Sequence, residues 1–333
     1  MQHPANSRQH RKFWHRLRKI FFFILASVTS FILVLALYLF WPRPLPPYAE
    51  SFTLIAHRGV SQTFPLGNLE NDTCTAKIIY PPTHPYLENT ISSIQAAFDY
   101  GADMVEIDVH PTTDNQLAVF HDWTIDCRTN GQGITHEQNI ATLKQLDIGY
   151  GYTADDGQTF PFRGQGIGLM PTFDEVMAAF PNRQFLVDQK DTFEKTVKLL
   201  AESLQKYSPQ QRRNIHLFST DARYEIAKAT VPELQKLFPT RREAKACAPQ
   251  YLSMVFSGEI SKACRQCALG IPSKVLPYVP GWPGLFLTKA QEANLKVYVI
   301  EVDTPEAFAQ LKGLPLDGII TNRIEVIGPM LKQ

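Results

Sequence analysis

The tract IFFFILASVTSFILVLALYLFW, Ile20–Trp41, runs for 22 residues without a charge. As a helix rising ~1.5 Å per residue, it covers a hydrocarbon core of roughly 30 Å. Aromatic residues mark both ends, Phe21–Phe23 and Tyr38–Trp41, as suits the two membrane interfaces. A cleaved signal peptide is the competing reading, but its apolar core is usually about 7–15 residues and closes on a small-x-small site. Here the exit is the bulky, proline-rich LFWPRPLPPYAE, which favours an uncleaved anchor. Before it, residues 1–19 carry Arg8, Arg11, Lys12, Arg16, Arg18 and Lys19 and no acid. That basic flank stays cytoplasmic by the positive-inside rule, so residues 42–333 are expected outside, in the periplasm if the source is a Gram-negative bacterium.

Six of the 33 basic residues thus lie in the head, leaving 27 against 32 acidic ones, a formal −5 for the remainder. An acidic body argues against nucleic acid as a partner, since phosphate backbones are held by clustered Lys and Arg. All five cysteines, Cys74, Cys127, Cys247, Cys264 and Cys267, lie beyond the anchor, where disulfides form. Five is odd, so at most two bridges form. CRQC (264–267) reads as structural, with a redox pair or half a zinc site as the alternative.

Residues 42–51 read as a proline-stiffened spacer and 52–333 as one catalytic-sized domain. Strands are expected at Thr53–Ala56, Met104–Val109, Leu117–Phe120, Phe185–Val187, Ile215–Phe218, Gln235–Phe238, Val297–Val302 and Gly318–Ile320. Amphipathic segments such as ENTISSIQAAFDYGA and FEKTVKLLAESLQKY separate several of them. Alternation of this kind over such a length predicts an α/β fold with a parallel sheet, of the size of a (β/α)8 barrel. Residues 61–87 and 240–284 break the pattern and read as irregular insertions. Long loops need bracing, and Cys74 with Cys127 is the candidate brace.

Chemistry-bearing residues cluster at the predicted strand ends. LIAHRGV delivers His57 and Arg58, with Gly59 to turn the backbone. In GADMVEIDV, Glu106 and Asp108 are two apart and share one face of a strand. Two carboxylates held together need a cation, and an oxygen-only ligand set suits Mg²⁺ or Ca²⁺. LAVFHD ends on His121, and FLVDQKD places Asp188 and Lys190 on one face, so that Lys190, like Arg58, reads as a substrate-binding charge for phosphate. Barrels keep their active sites at the carboxyl ends of strands. Glu88 and Asn89 read as substrate-binding residues, as holders of His57, or as plain helix caps. Asp122 reads as an orienter of His121 or a cap, Arg128 as an exposed cation or as one standing behind the residues of the site, and His110, His136 and His216 as structural.

In order, AHRG, ENT, GADMVEIDV, VFHD, RTNGQG, MPTFDEV and DGIITN resemble the signature run of glycerophosphodiester phosphodiesterases. The resemblance is close over residues 53–191 and looser over 297–322. It implies a TIM-barrel hydrolase that uses a divalent cation to cut glycerophosphodiesters into glycerol 3-phosphate and an alcohol. His57 and His121 would be the acid/base pair, and Glu106 and Asp108 would hold the metal. The third ligand would be Asp188, one methylene shorter than the family's usual glutamate, with Lys190 two residues on. Leu87 stands in place of a proline before ENT, and Ile300–Glu301 in place of a Trp-Thr pair. A phosphodiesterase acting on lysophospholipid or sphingolipid headgroups, an inactive barrel kept as a binding module, and a zinc site built with CRQC are the other readings.

Overall fold

The computed structural model describes residues 5–48, 51–67, 69–70 and 73–331. The first four residues of the basic head, Ala49 and Glu50 of the spacer, and Asn68, Asn71 and Asp72 of the first insertion lie outside the described residues, as do the side chains of residues 5–9, Arg8 included. Helix α1 runs from Ala5 to Phe40, so the described part of the basic head and the apolar tract form one helix. No proline or glycine falls between Ala5 and Phe40, and Pro42 disfavours helical backbone at Trp41. The stretch His10–Phe40 is long and apolar enough to cross a membrane. Its end is tied to the body: the Tyr38 hydroxyl donates to Val255 O at 3.2 Å, and its ring stacks on Phe256.

The body begins with β1 (Thr53–His57), α2 (Ile91–Tyr100), β2 (Met104–Pro111) and β3 (Leu117–Val119). Helices α3 (Ile140–Gln145) and α4 (Phe173–Ala179) lead to β4 (Gln184–Gln189), α5 (Glu194–Leu204), α6 (Pro209–Arg213) and β5 (Ile215–Phe218). Then come α7 (Asp221–Thr230), β6 (Gln235–Lys236), α8 (Arg241–Ser257), α9 (Lys262–Arg265) and β7 (Leu269–Pro272). The chain finishes with α10 (Gly284–Glu292), β8 (Val297–Ile300), α11 (Pro305–Ala309), β9 (Gly318–Thr321) and α12 (Ile324–Leu331).

Eight strands pair in parallel in the order β6-β5-β4-β2-β1-β9-β8-β7, with β3 an antiparallel flap on β2. The sheet curls until its ends meet, where Ala268 N–H donates to Leu237 O at 2.8 Å. This is the expected barrel. Period-two alternation splits each strand between two cores. Ile55, Met104, Leu186, Phe238, Ala268 and Tyr298 fill the interior. Leu54, Ala56, Val105, Ile107, Phe185, Val187 and Leu217 pack outward against the helices. Each buried Leu, Ile, Val, Met or Phe among them stabilises by about 1.5–3 kcal/mol.

The first insertion is braced as expected. Cys74 and Cys127 are disulfide-bonded, over an apolar cluster that includes Ala76, Ile79, Phe120, Ile125 and Tyr152. The second region, 240–284, corrects the expectation of irregular chain. It contains α8, opened by a reciprocal cap between Thr240 and Glu243 and closed by Gly258 at φ 70°, together with the unforeseen β7. CRQC does not act as a pair, because Cys264 bonds Cys247 and Cys267 is left buried and free. That removes the zinc reading, since a sulfur in a disulfide is not a thiolate ligand. The strands expected at Gln235–Phe238 and Val297–Val302 end earlier, the latter where Glu301 turns to φ 60°.

Candidate active site

Strand register assembles the acidic cluster. In the parallel pairing of β1, β2 and β4, His57 lies beside Glu106, and Asp108 beside Asp188. In-register neighbours on one face project together, so oxygens of Glu106, Asp108 and Asp188 lie within 4.8 Å of one another. Lys190 Nζ sits 3.0 Å from Asp188 and 3.4 Å from Asp108. Arg58 Nε lies 3.4 Å from Asp108, and the Arg58 backbone N–H donates to Glu106 at 3.0 Å.

These carboxyls share too little water to ionise freely. Burial, then the charges of Asp108 and Asp188, raises Glu106 well above the usual range. Burial, opposed by Lys190 and reinforced by Asp108, raises Asp188. Asp108 is buried too, but Lys190 and Arg58 overcome that and hold it well below its ordinary value. Counting the wider cluster, Glu88, Glu106, Asp108, Asp122 and Asp188 face three cations, Arg58, Arg128 and Lys190. When all ionise, a formal −2 is uncompensated. Asp108 Oδ1 is buried with no hydrogen-bond partner among the described residues. A carboxylate oxygen that accepts no hydrogen bond, with Lys190 Nζ 3.4 Å away, and two surplus negative charges fit a divalent cation with oxygen ligands.

Both histidines are fixed through Nδ1. His57 Nδ1 lies 2.6 Å from Asn322 Oδ1. The Asn322 amide is itself oriented by donating Nδ2–H to Asp303 at 2.7 Å, so Asn322 Oδ1 accepts and His57 Nδ1 carries the proton. His121 Nδ1 likewise meets Asp122 Oδ1 at 2.7 Å. In each ring Nε2 is left to exchange a proton. Burial, then Arg58, lowers His57 to about 3 and lowers His121 as well.

The turn after β1 depends on Gly59. Arg58 and Gly59 take φ 60° and 77°, and a Cβ on Gly59 would lie 2.6 Å from Ser93 Oγ. Glu88 and Asn89 are not the helix cap, which is Thr90. Glu88 accepts from Arg58 at 3.0 Å, and Asn89 donates to Asp108 at 2.7 Å. Neither hydrogen-bonds to His57 among the described residues. Asp122 orients His121, one of its two expected roles. Of the two readings of Arg128, the exposed cation is corrected: the side chain is buried behind the site against Asp122 and Glu88. Asp303 went unmarked in the sequence; Asn322 stood in the quoted DGIITN, but nothing in that motif announces a partner for His57. A cavity of about 330 Å³ opens beside His57, lined also by Phe64, Tyr80, Glu88, Asp303 and Arg323.

Residues 57–326 match the model of the glycerophosphoryl diester phosphodiesterase family. A glycerophosphodiester phosphodiesterase of Caldanaerobacter subterraneus is 33% identical over 135 residues, 40% of this chain and 43% of that protein. A human lysophospholipase D is 31% identical over 150 residues, 44% of this chain and 45% of that protein. The matched segments therefore span under half the length of these curated relatives. The crystal structure of a glycerophosphodiester phosphodiesterase from Agrobacterium tumefaciens superposes with a TM-score of 0.56 at 20% identity, covering 83% of this chain and 99% of that one. An Oleispira antarctica phosphodiesterase in complex with sn-glycerol-3-phosphate gives 0.55 at 20% identity, over 84% and 96%.

Proposed function

The chain belongs to the glycerophosphoryl diester phosphodiesterase family, and from that membership we propose that it hydrolyses glycerophosphodiesters to glycerol 3-phosphate and an alcohol. One observation carries the reading: two imidazoles, each pinned through Nδ1, share strand ends with a trio of clustered carboxylates. Glu106, Asp108 and Asp188 would hold one divalent cation, Mg²⁺ or Ca²⁺, which when bound supplies charge neutralisation at a nonbridging phosphate oxygen. Arg58 supplies a second positive charge, and Lys190 balances the carboxylates at the edge of the site.

The protons move through the histidines. The substrate's own 2-hydroxyl attacks phosphorus and passes its proton to one Nε2. The phosphorus–oxygen bond to the alcohol breaks as the other Nε2 protonates the departing oxygen. Water then opens the resulting cyclic phosphate, and both rings return to their starting state. Burial lowers both His57 and His121, and the two rings supply the base and the acid between them. Asn322 and Asp122 fix which nitrogen is available to each.

The membrane arrangement belongs to the same proposal. Residues 1–19 remain in the cytoplasm, 20–41 anchor the chain, 42–51 form the spacer, and the barrel works on the outer side. The test is hydrolysis of glycerophosphocholine by the detergent-solubilised full chain. His57→Ala and His121→Ala should each lower turnover by ~10²–10⁴-fold, and EDTA should abolish it. Turnover within a few-fold of the parent in either variant overturns the dyad. The human relative named a lysophospholipase D makes lysophosphatidylcholine the second substrate to assay, and hydrolysis confined to it would reassign the substrate to lipid.

A further inference from the structure

The proposed reaction leaves one buried charge without a task. Arg128 is 2% exposed and lies outside the lining of the cavity beside His57. A guanidinium sealed in protein is costly unless fully paired, and this one meets four groups from four parts of the chain. Its Nε lies 3.0 Å from Asp122 Oδ2, an ion pair not aligned as a hydrogen bond, and its Nη1 lies 3.4 Å from Glu88 Oε2. It donates to the Tyr152 hydroxyl and to Thr75 Oγ1, both at 2.8 Å.

The two carboxylates are the ones that position the reactive cations. Asp122 holds His121, and Glu88 holds Arg58. A single planar fork therefore sets the spacing between the imidazole and the phosphate-binding guanidinium. Lysine, a point charge on a flexible stem, does not reproduce that geometry. The fork is itself clamped: Thr75 and Arg128 each directly follow a cysteine, and those cysteines, Cys74 and Cys127, are bonded to each other. The bridge thus fixes the backbone on both sides of the Thr75–Arg128 hydrogen bond.

We propose that Arg128 is a positioning residue that keeps His121 and Arg58 in register through Asp122 and Glu88, and that the Cys74–Cys127 disulfide is its clamp, so that turnover depends on that bridge. The inference rests on the phosphodiesterase reading. The experiment is a double-mutant cycle on the detergent-solubilised full chain with glycerophosphocholine. Arg128→Lys should lower kcat by about 10–100-fold in the parent, as outer-shell losses do, and by less than about 3-fold when Asp122→Asn is already present. Losses that multiply, as expected of a residue that serves only the fold, overturn it, as does a kcat within about 2-fold of the parent. If Arg128→Lys does not fold, Thr75→Val and the Cys74→Ser/Cys127→Ser pair decide the matter. Each should lower kcat per folded molecule, while Cys247→Ser/Cys264→Ser should not. Equal effects of the two cysteine pairs would refute the clamp. A parent without turnover removes the functional reading itself, and is seen before any variant is made.

Discussion

Replacing Gly59 by alanine tests whether the turn after β1 is the joint on which the site depends. The added Cβ would lie 2.6 Å from Ser93 Oγ, 2.9 Å from Ser93 C and 3.0 Å from Ser93 O. Two of those atoms are backbone and have no rotamer to yield. The hydroxyl is committed to the cap of α2 through Thr90. Side chains at the φ of 77° found here cost about 1–2 kcal/mol, and crowding of a packed site adds about 1–3 kcal/mol. Loss of unfolded-state freedom offsets about 0.4–1 kcal/mol. The net destabilisation is about 1–4.6 kcal/mol. Urea denaturation of the solubilised chain measures it, with Gly67→Ala as control, because a Cβ there has no neighbour within 4 Å among the described residues. The control should stay within about 0.5 kcal/mol of the parent. A Gly59→Ala midpoint indistinguishable from that of Gly67→Ala would refute the reasoning. Turnover should fall along with stability, because the same turn carries His57 and Arg58.

Three more outcomes are expected. Burial, then Lys296, lowers His216 from 6.5 to about 4, so the folded form refuses a proton that the unfolded chain accepts. Stability is whole above about pH 6.5 and falls as pH drops toward 4, by about 1–2 kcal/mol once partial solvent contact is discounted; His216→Gln should flatten that slope in denaturation series at pH 7 and 4.5, and an unchanged slope counts against it. Millimolar Mg²⁺ or Ca²⁺ should raise the Tm of the parent, the gain in stability being about 2.7 kcal/mol at a hundredfold excess over Kd, and Asp188→Asn should remove most of the rise; no shift with either ion argues against the metal site. Asn322→Ala should lower kcat by about 10–100-fold with the Tm nearly kept, because His57 loses the group that fixes its tautomer.

What was legible in the chain follows from physical range. The central strands announced themselves because each is buried on both faces, as Met104 and Leu186 inside and Val105 and Val187 outside show. The catalytic pattern was legible because a strand's period is two, which puts Glu106 with Asp108 and Asp188 with Lys190. β7 was missed because LGIP is short and holds both a glycine and a proline, residues that weaken strands. α8 was missed although its Thr240–Glu243 cap is readable, because Pro249 interrupts the helical pattern. Arg128 looked exposed because it sits in the polar run RTNGQG. Its partners Glu88 and Thr75 are remote in sequence, so no local signal could bury it.

The barrel's staves are unequally stitched. Between β6 and β7 the described closure is one backbone bond, from Ala268 to Leu237, whereas β2 and β4 run in register over six residue pairs. Going round the ring, that weak seam falls diametrically across from the β1–β2 junction, where the reactive groups stand. Thermal opening of the wall is therefore steered to the far side, and the Cys247–Cys264 bridge rivets the helices just outside the gap. A molecule built this way can flex without loosening its catalytic wall.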